Sequence, residues 1–229
     1  MPVGKNYSMA PLPRNTVRDA LSVAVTVGAY GVAFGAASVA AGFSVLQTCI
    51  FSLFTFTGAS QFAAVGVVAA GGGALSAIAT AAMLSTRNAL YGIQMAPILE
   101  VRGVRRFLSA HITIDESTGV ALSQKPRGIA AMRVGFWVTG VSVFVFWNAF
   151  TLLGALGARA IGNPASWGLD GAVPAVFLGL LWPRLESTYL RVVAATSMVF
   201  AMVVTPWLPA GLPIIATALV AVAMGWRER

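Results

Sequence analysis

Charge is what this sequence has least of. Only 10% of its 229 residues are Asp, Glu, Lys or Arg, and positions 20 to 86 contain none of them. An ordinary soluble domain carries roughly a quarter charged residues. Cysteine is scarcer still: Cys49 stands alone, which excludes an internal disulfide and argues against a cysteine-based metal site. In its apolar run Cys49 reads as a small packed hydrophobe. No GxxxxGK[ST] loop is present, so no Walker-type phosphate cradle is expected and any work must draw on a gradient, not on ATP hydrolysed by this chain. No motif for a metal, nucleotide or other cofactor is found, and none is expected.

What fills the chain instead is apolar: 58% of residues are hydrophobic and the mean hydropathy is +0.81. A helix crosses a bilayer in about 20 residues, so the uncharged run 20–86 is long enough to cross two or three times. It is rich in Ala, Val, Leu and Gly without two-residue alternation, the pattern of helices and not of barrel strands. The expected fold is an all-α polytopic membrane protein, one transmembrane domain over 1–229. The polar segment 1–18 precedes a first apolar run long enough to span, unlike a cleaved secretory signal, so that helix is expected to remain.

Apolar segments are predicted at 20–41, 43–70, 74–99, 134–156, 171–182, 192–205 and 211–226. The last three are short and interrupted by Pro174, Pro183, Pro206, Pro209 and Pro213, as is common where unwound backbone lines a cavity. The net charge of +8 sits in linkers between these segments, which points to topology and not to nucleic acid. Six of the fifteen cations lie in 100–133, so that polar segment is expected on the cytoplasmic side, with 1–18 and the C-terminus. Residues 107–123 are too polar to cross. Six crossings with a broken or re-entrant second segment would put every basic cluster on one side and leave only Arg159 outside. The alternative is seven spans with the N-terminus outside. Gly31 and Gly35 form a GxxxG on the first helix, allowing close approach of a neighbouring helix from this chain or a partner.

The second apolar run contains "FTGASQF". Gly58 weakens a helix and Ser60 is a favoured N-cap, so one half-helix is predicted to end and another to start between Thr57 and Ser60. The new N-terminus would offer partial positive charge and free N–H groups to a carboxylate, at Gly58, Ala59 and Ser60, with Gln61 adding a donor. Equally, Ser and Thr could bond back to the preceding turn and Gln61 to a neighbour. "LSTRNALYG" places Arg87 within the third apolar segment, where a charge is costly and usually faces a cavity. Arg87 could hold the carboxylate and Asn88 the same ligand, or Arg87 could pair with a structural acid. Asp115 and Glu116 could bind an ammonium or carry a coupling proton, or be exposed acids on an interfacial helix. Phe54, Phe56, Phe62 and Met83 could receive an aliphatic side chain, or the aromatic residues could equally face lipid or fill the core. Two other classes stay in view. Gly58–Gln61 matches a G-x-S-x stretch of rhomboid-type serine proteases, with His111 as the base, and a passive channel-like pore would need no specific site.

The basic N-terminus leading into "RDALSVAVTVGAYGVAFGAASVAAGFS", then "FTFTGASQFAAVGVVAAGG", "LSTRNALYG" and "HITIDESTGVA" together resemble the AzlC family, over roughly residues 18 to 156. The resemblance implies the large subunit of a two-component exporter in the bacterial inner membrane. It implies valine, leucine and isoleucine as substrates, with methionine a further candidate, a small AzlD-type membrane subunit as partner, and no catalytic residue.

Overall fold

The structure is a computed structural model that describes residues 14–162 and 171–227. The polar N-terminal segment before Arg14 lies outside the described residues. Every described element is helical: α1 Arg14–Ala40, α2 Val45–Phe54, α3 Ala59–Ala69, α4 Ala74–Leu99, α5 Val104–His111, α6 Asp115–Ser123, α7 Ile129–Ile161, α8 Ala172–Leu181, α9 Thr188–Val204 and α10 Leu212–Arg227. Short 3₁₀ turns stand at Lys125–Arg127 and Trp182–Arg184. Two helices, over Thr16–Ala40 and Ile129–Ile161, are long and apolar enough to cross a membrane. Each of the seven apolar segments contains helix, and the second contains two.

The chain groups into two compact units: Met1–Gly28 with Asn88–Phe146, and Ala29–Arg87 with Trp147–Arg229. The first has its core at Met95, Leu99, Ile112, Ala121 and Phe136. α4 ends through Glu100, at φ +50 the one non-glycine residue with positive φ among those described. Arg133 closes that end: Nε donates to the Ile98 carbonyl at 2.6 Å and Nη2 to Glu100 Oε2 at 2.6 Å, which meets a carbonyl that the helix leaves unpaired. Residues 107–123 form α5 and α6, and α6 does not lie on the surface. Ser117, Thr118, Val120 and Ala121 are buried. Ser117 is satisfied locally: its Oγ donates to the Ile112 carbonyl at 2.7 Å and accepts from Ile114 N–H at 3.0 Å, whereas Thr118 Oγ1 is buried without a hydrogen-bond partner among the described residues.

The second unit is built on three aromatic rings. Phe34 meets Phe62 edge-on at 5.4 Å and stacks on Trp147 at 5.8 Å. These large side chains sit beside very close backbone contacts between α1 and α7. A Cβ on Gly31 would meet the Trp147 carbonyl at 2.5 Å, one on Gly35 would collide with the Thr151 carbonyl, and one on Gly154 with the Val32 carbonyl. The Gly31–Gly35 face is therefore filled by α7 of the same chain. At the far end of this unit Ser76 donates to the Ala210 carbonyl and Thr80 to that of Gly211, the latter at 3.4 Å. These bonds tie α4 to the turn before α10, and α9 and α10 pack on each other.

Candidate binding cavity at a helix break

The second apolar segment is broken, with α2 ending at Phe54 and α3 starting at Ala59. Gly58, not Ser60, caps α3. It sits at φ +65, ψ −99, a conformation that side-chain-bearing L-residues avoid and glycine adopts freely. Ser60 is thus the second residue of α3. Capping is done from within by Gln61, which is completely buried. Its Oε1 accepts from the N–H of Gly58 at 3.1 Å and of Thr57 at 3.5 Å, and its Nε2 donates to the Phe51 carbonyl at 3.4 Å. One amide thereby serves both broken ends, with one of its two N–H donors engaged by the Phe51 carbonyl.

Around the break lies a hydroxyl chain. Thr57 Oγ1 donates to the Thr55 carbonyl at 2.7 Å, Ser60 Oγ contacts Thr57 Oγ1, and Ser85 Oγ of α4 donates to Ser60 Oγ at 3.0 Å. These groups close one end of a cavity of about 400 Å³ whose remaining wall is apolar, including Phe43, Phe51 and Ile78. The α4 wall is a single helical face: Ala74, Ala77, Ile78, Ala81, Ala82 and Ser85 recur at three- and four-residue intervals. Small side chains there leave the space that larger ones would fill.

The predicted residues distribute unevenly. Ser60 and Gln61 line the cavity, and Gly58 and Ala59 shape the break beside it. Arg87 is half-buried but lies two positions beyond Ser85, about 200° round the helix, and is not part of the lining. Asn88 begins the other unit's share of α4; its Oδ1 is buried without a hydrogen-bond partner among the described residues. Asp115 and Glu116, both half-buried, stand in the first turn of α6, where a helix N-terminus favours negative charge. The three phenylalanines take the lipid-facing and core places that were also open to them. Phe54 is 77% exposed, whereas Phe56 and Phe62 are buried in the core, and Phe43, Phe51 and Ile78 supply the apolar wall instead. Among the described residues Ser60 Oγ bonds to two hydroxyls, neither able to act as the general base a serine nucleophile requires. His111 meets the ring of Phe144 at 5.5 Å.

Comparison with known proteins agrees with the residues. The family profile described as AzlC protein matches residues 22–161, more than half of the chain. The chain is 27% identical over 176 residues to the inner membrane protein YgaZ of Escherichia coli (strain K12), covering 72% of this chain and 69% of that protein. No solved structure matches. The relative's membrane location accords with the two long apolar helices here, and the profile match, which takes in α2, the break, α3 and α4, settles the grouping: this chain belongs to the AzlC family.

Proposed function

We propose that the protein is a multi-pass secondary transporter of the inner membrane, with a cytoplasmic C-terminus and 100–133 on the same side, that exports branched-chain amino acids in a process driven by an ion gradient. A small AzlD-type membrane subunit completes it. The observation that carries this reading is the cavity of about 400 Å³ with an apolar wall and one polar end at a helix break, the form expected of a site for a small amphiphile with an aliphatic tail. The tail packs against Phe43, Phe51 and Ile78, and the zwitterionic head reaches the break at Gly58–Gln61. Proton coupling is assigned to Asp115 or Glu116.

Counterflow of labelled leucine in proteoliposomes tests it, with and without a candidate small subunit. Saturable uptake that valine and isoleucine compete away is expected. Uptake that stays linear in leucine would mean a passive pore, and none in either preparation would remove the central claim.

A further inference from the structure

A second, larger cavity lies within the unit formed by Ala29–Arg87 and Trp147–Arg229. Its volume is about 1270 Å³, above the roughly 300–1,000 Å³ of ordinary small-molecule sites. α8 contributes Pro174, Phe177, Leu178 and Leu181 to its wall, and α9 contributes Arg191, Ala194, Ala195 and Met198. Each set recurs at three- and four-residue intervals, so each is one helical face. α1 and α3 add small residues, among them Ala37, Ala41, Ala63, Gly66 and Ala70, which leave the width that bulkier side chains would take. Phe177 ties α8 to α3, meeting the Phe62 ring edge-on at 6.3 Å. Leu178, Trp182 and Met198 are more than half exposed, so the cavity is an open groove.

Its chemistry is one-sided. Arg191 is the only charged side chain among the described lining residues, and the Trp182 indole N–H is the only other polar group on a lining side chain. Both are donors without acceptor capacity. Arg191 is exposed, and its Nε donates to the Leu185 carbonyl at 3.0 Å while its Nη groups meet no acceptor among the described residues. Trp182, Leu185 and Arg191 stand where α8 gives way to α9, so the charge is held at one end. An amino acid would leave its ammonium without a side-chain acceptor here. What matches is a molecule apolar along its length and anionic at one end. The ten residues of α8 set that length at about 15 Å, half of a ~30 Å hydrocarbon layer. A partner's spanning helix needs the whole thickness, whereas a lipid of one leaflet needs half. Trp182, 71% exposed at the charged end, is of the residue type that gathers at membrane–water interfaces, and basic pockets between membrane helices take anionic head groups. We infer that this groove holds one anionic phospholipid, its chains along the α8 and α9 faces and its phosphate on Arg191. The inference does not depend on the exporter reading.

The test separates head group from chains. Purified full-length protein in an uncharged detergent is titrated with phosphatidylglycerol, with zwitterionic phosphatidylcholine, and with sn-glycerol 3-phosphate, which has the phosphate without the chains. Binding is read as a rise in melting temperature and, by native mass spectrometry, as retained lipid. Phosphatidylglycerol is expected to be retained and to stabilise, phosphatidylcholine to bind several-fold more weakly, and glycerol 3-phosphate to do nothing. Arg191→Gln should weaken phosphatidylglycerol about tenfold, the scale of a lost hydrogen bond to a charged group, while Arg191→Lys keeps most of the preference as a point charge. Ala195→Trp, which fills the groove from an exposed position, should abolish retention of both lipids. Unliganded melting temperatures show whether each variant keeps its fold, and if Ala195→Trp does not, the two Arg191 variants decide. Equal affinity for the two lipids, unchanged phosphatidylglycerol binding in Arg191→Gln, or stabilisation by glycerol 3-phosphate alone would each overturn the assignment. Absence of retained lipid would overturn it too: release of a co-purified small membrane subunit by Ala195→Trp would then give the groove to a partner helix, and conversion of a dimer to a monomer would give it to a second copy of this chain.

Discussion

The α2–α3 segment and α7 both contain glycines within long apolar runs, yet one is broken and the other continues over Ile129–Ile161. The difference lies in what surrounds each glycine. At Gly58 a Cβ would meet nothing within 4 Å, but φ is +65; this glycine supplies conformation. At Gly154 the backbone is helical and a Cβ would strike the Val32 carbonyl; that glycine supplies proximity. Gly157, one turn on, supplies neither, being helical, exposed and in open space. Glycine content alone therefore does not locate a break. Hydrogen-bonding side chains placed to receive the freed backbone do, and Thr55, Thr57 and Gln61 flank only Gly58.

Substitutions at these positions put that contrast to the test. Gly154→Leu forces two packed backbones apart, and a loss at or beyond the top of the ~1–3 kcal/mol range for overpacking is expected, seen as aggregation or a collapsed melting temperature in detergent. A near-normal melt would show that α1 and α7 are not held as described. Gly58→Ala has room for its methyl but not for the dihedral angles, so a loss of about 1–3 kcal/mol from backbone strain is expected, with the leucine-binding change following from the displaced break. Gln61→Ala leaves the Gly58 and Thr57 N–H groups without their acceptor, and about 1–2 kcal/mol should be lost, within the range for buried unmet donors. Gln61→Glu retains the accepting oxygen and should melt above Gln61→Ala; the reverse order would mean that the lost link to the Phe51 carbonyl and the cost of a buried carboxylate outweigh the cap. Gly157→Ala should move the other way, stabilising by up to about 1 kcal/mol because an open helical site gains from reduced unfolded-state freedom. Destabilisation there would reveal a neighbour on that face.

Much of this was legible in the residues. Apolar runs located the helices because lipid-scale helices need little more than length and composition, and "FTGASQF" located the break because Gly58 stood among residues able to replace lost backbone bonds. Its cap was misread for a physical reason: Ser60 fits the propensity for an N-cap, but Gln61 reaches both broken ends at once, and a long-range bond to Phe51 leaves no trace in local propensity. The cavity wall was half-written in "ALSAIATAAMLS", where Ala74, Ala77, Ala81 and Ser85 keep helical spacing. Phe43 and Phe51 joined it only through tertiary packing, which a run of similar phenylalanines cannot distinguish. Residues 107–123 read only as too polar to cross, and the burial of Ser117 in α6 was not legible, since its bonding back on Ile112 and Ile114 is invisible in composition.

Consider finally how such a chain is made. At about 1.5 Å per residue, the ten residues of α2 and eleven of α3 reach about 15 and 17 Å, each roughly half of a ~30 Å hydrocarbon layer. Neither half alone is long enough to be retained by lipid as it emerges from the ribosome. During synthesis this pair would depend on segments already inserted, α1 first among them, and on α4, whose Ser85 arrives only after the break has formed. Insertion of the segment that shapes the cavity is then a late and cooperative event, and in chains truncated before Ser85, which α1 already anchors, Cys49 of α2 should stay open to a water-soluble thiol label where longer chains protect it.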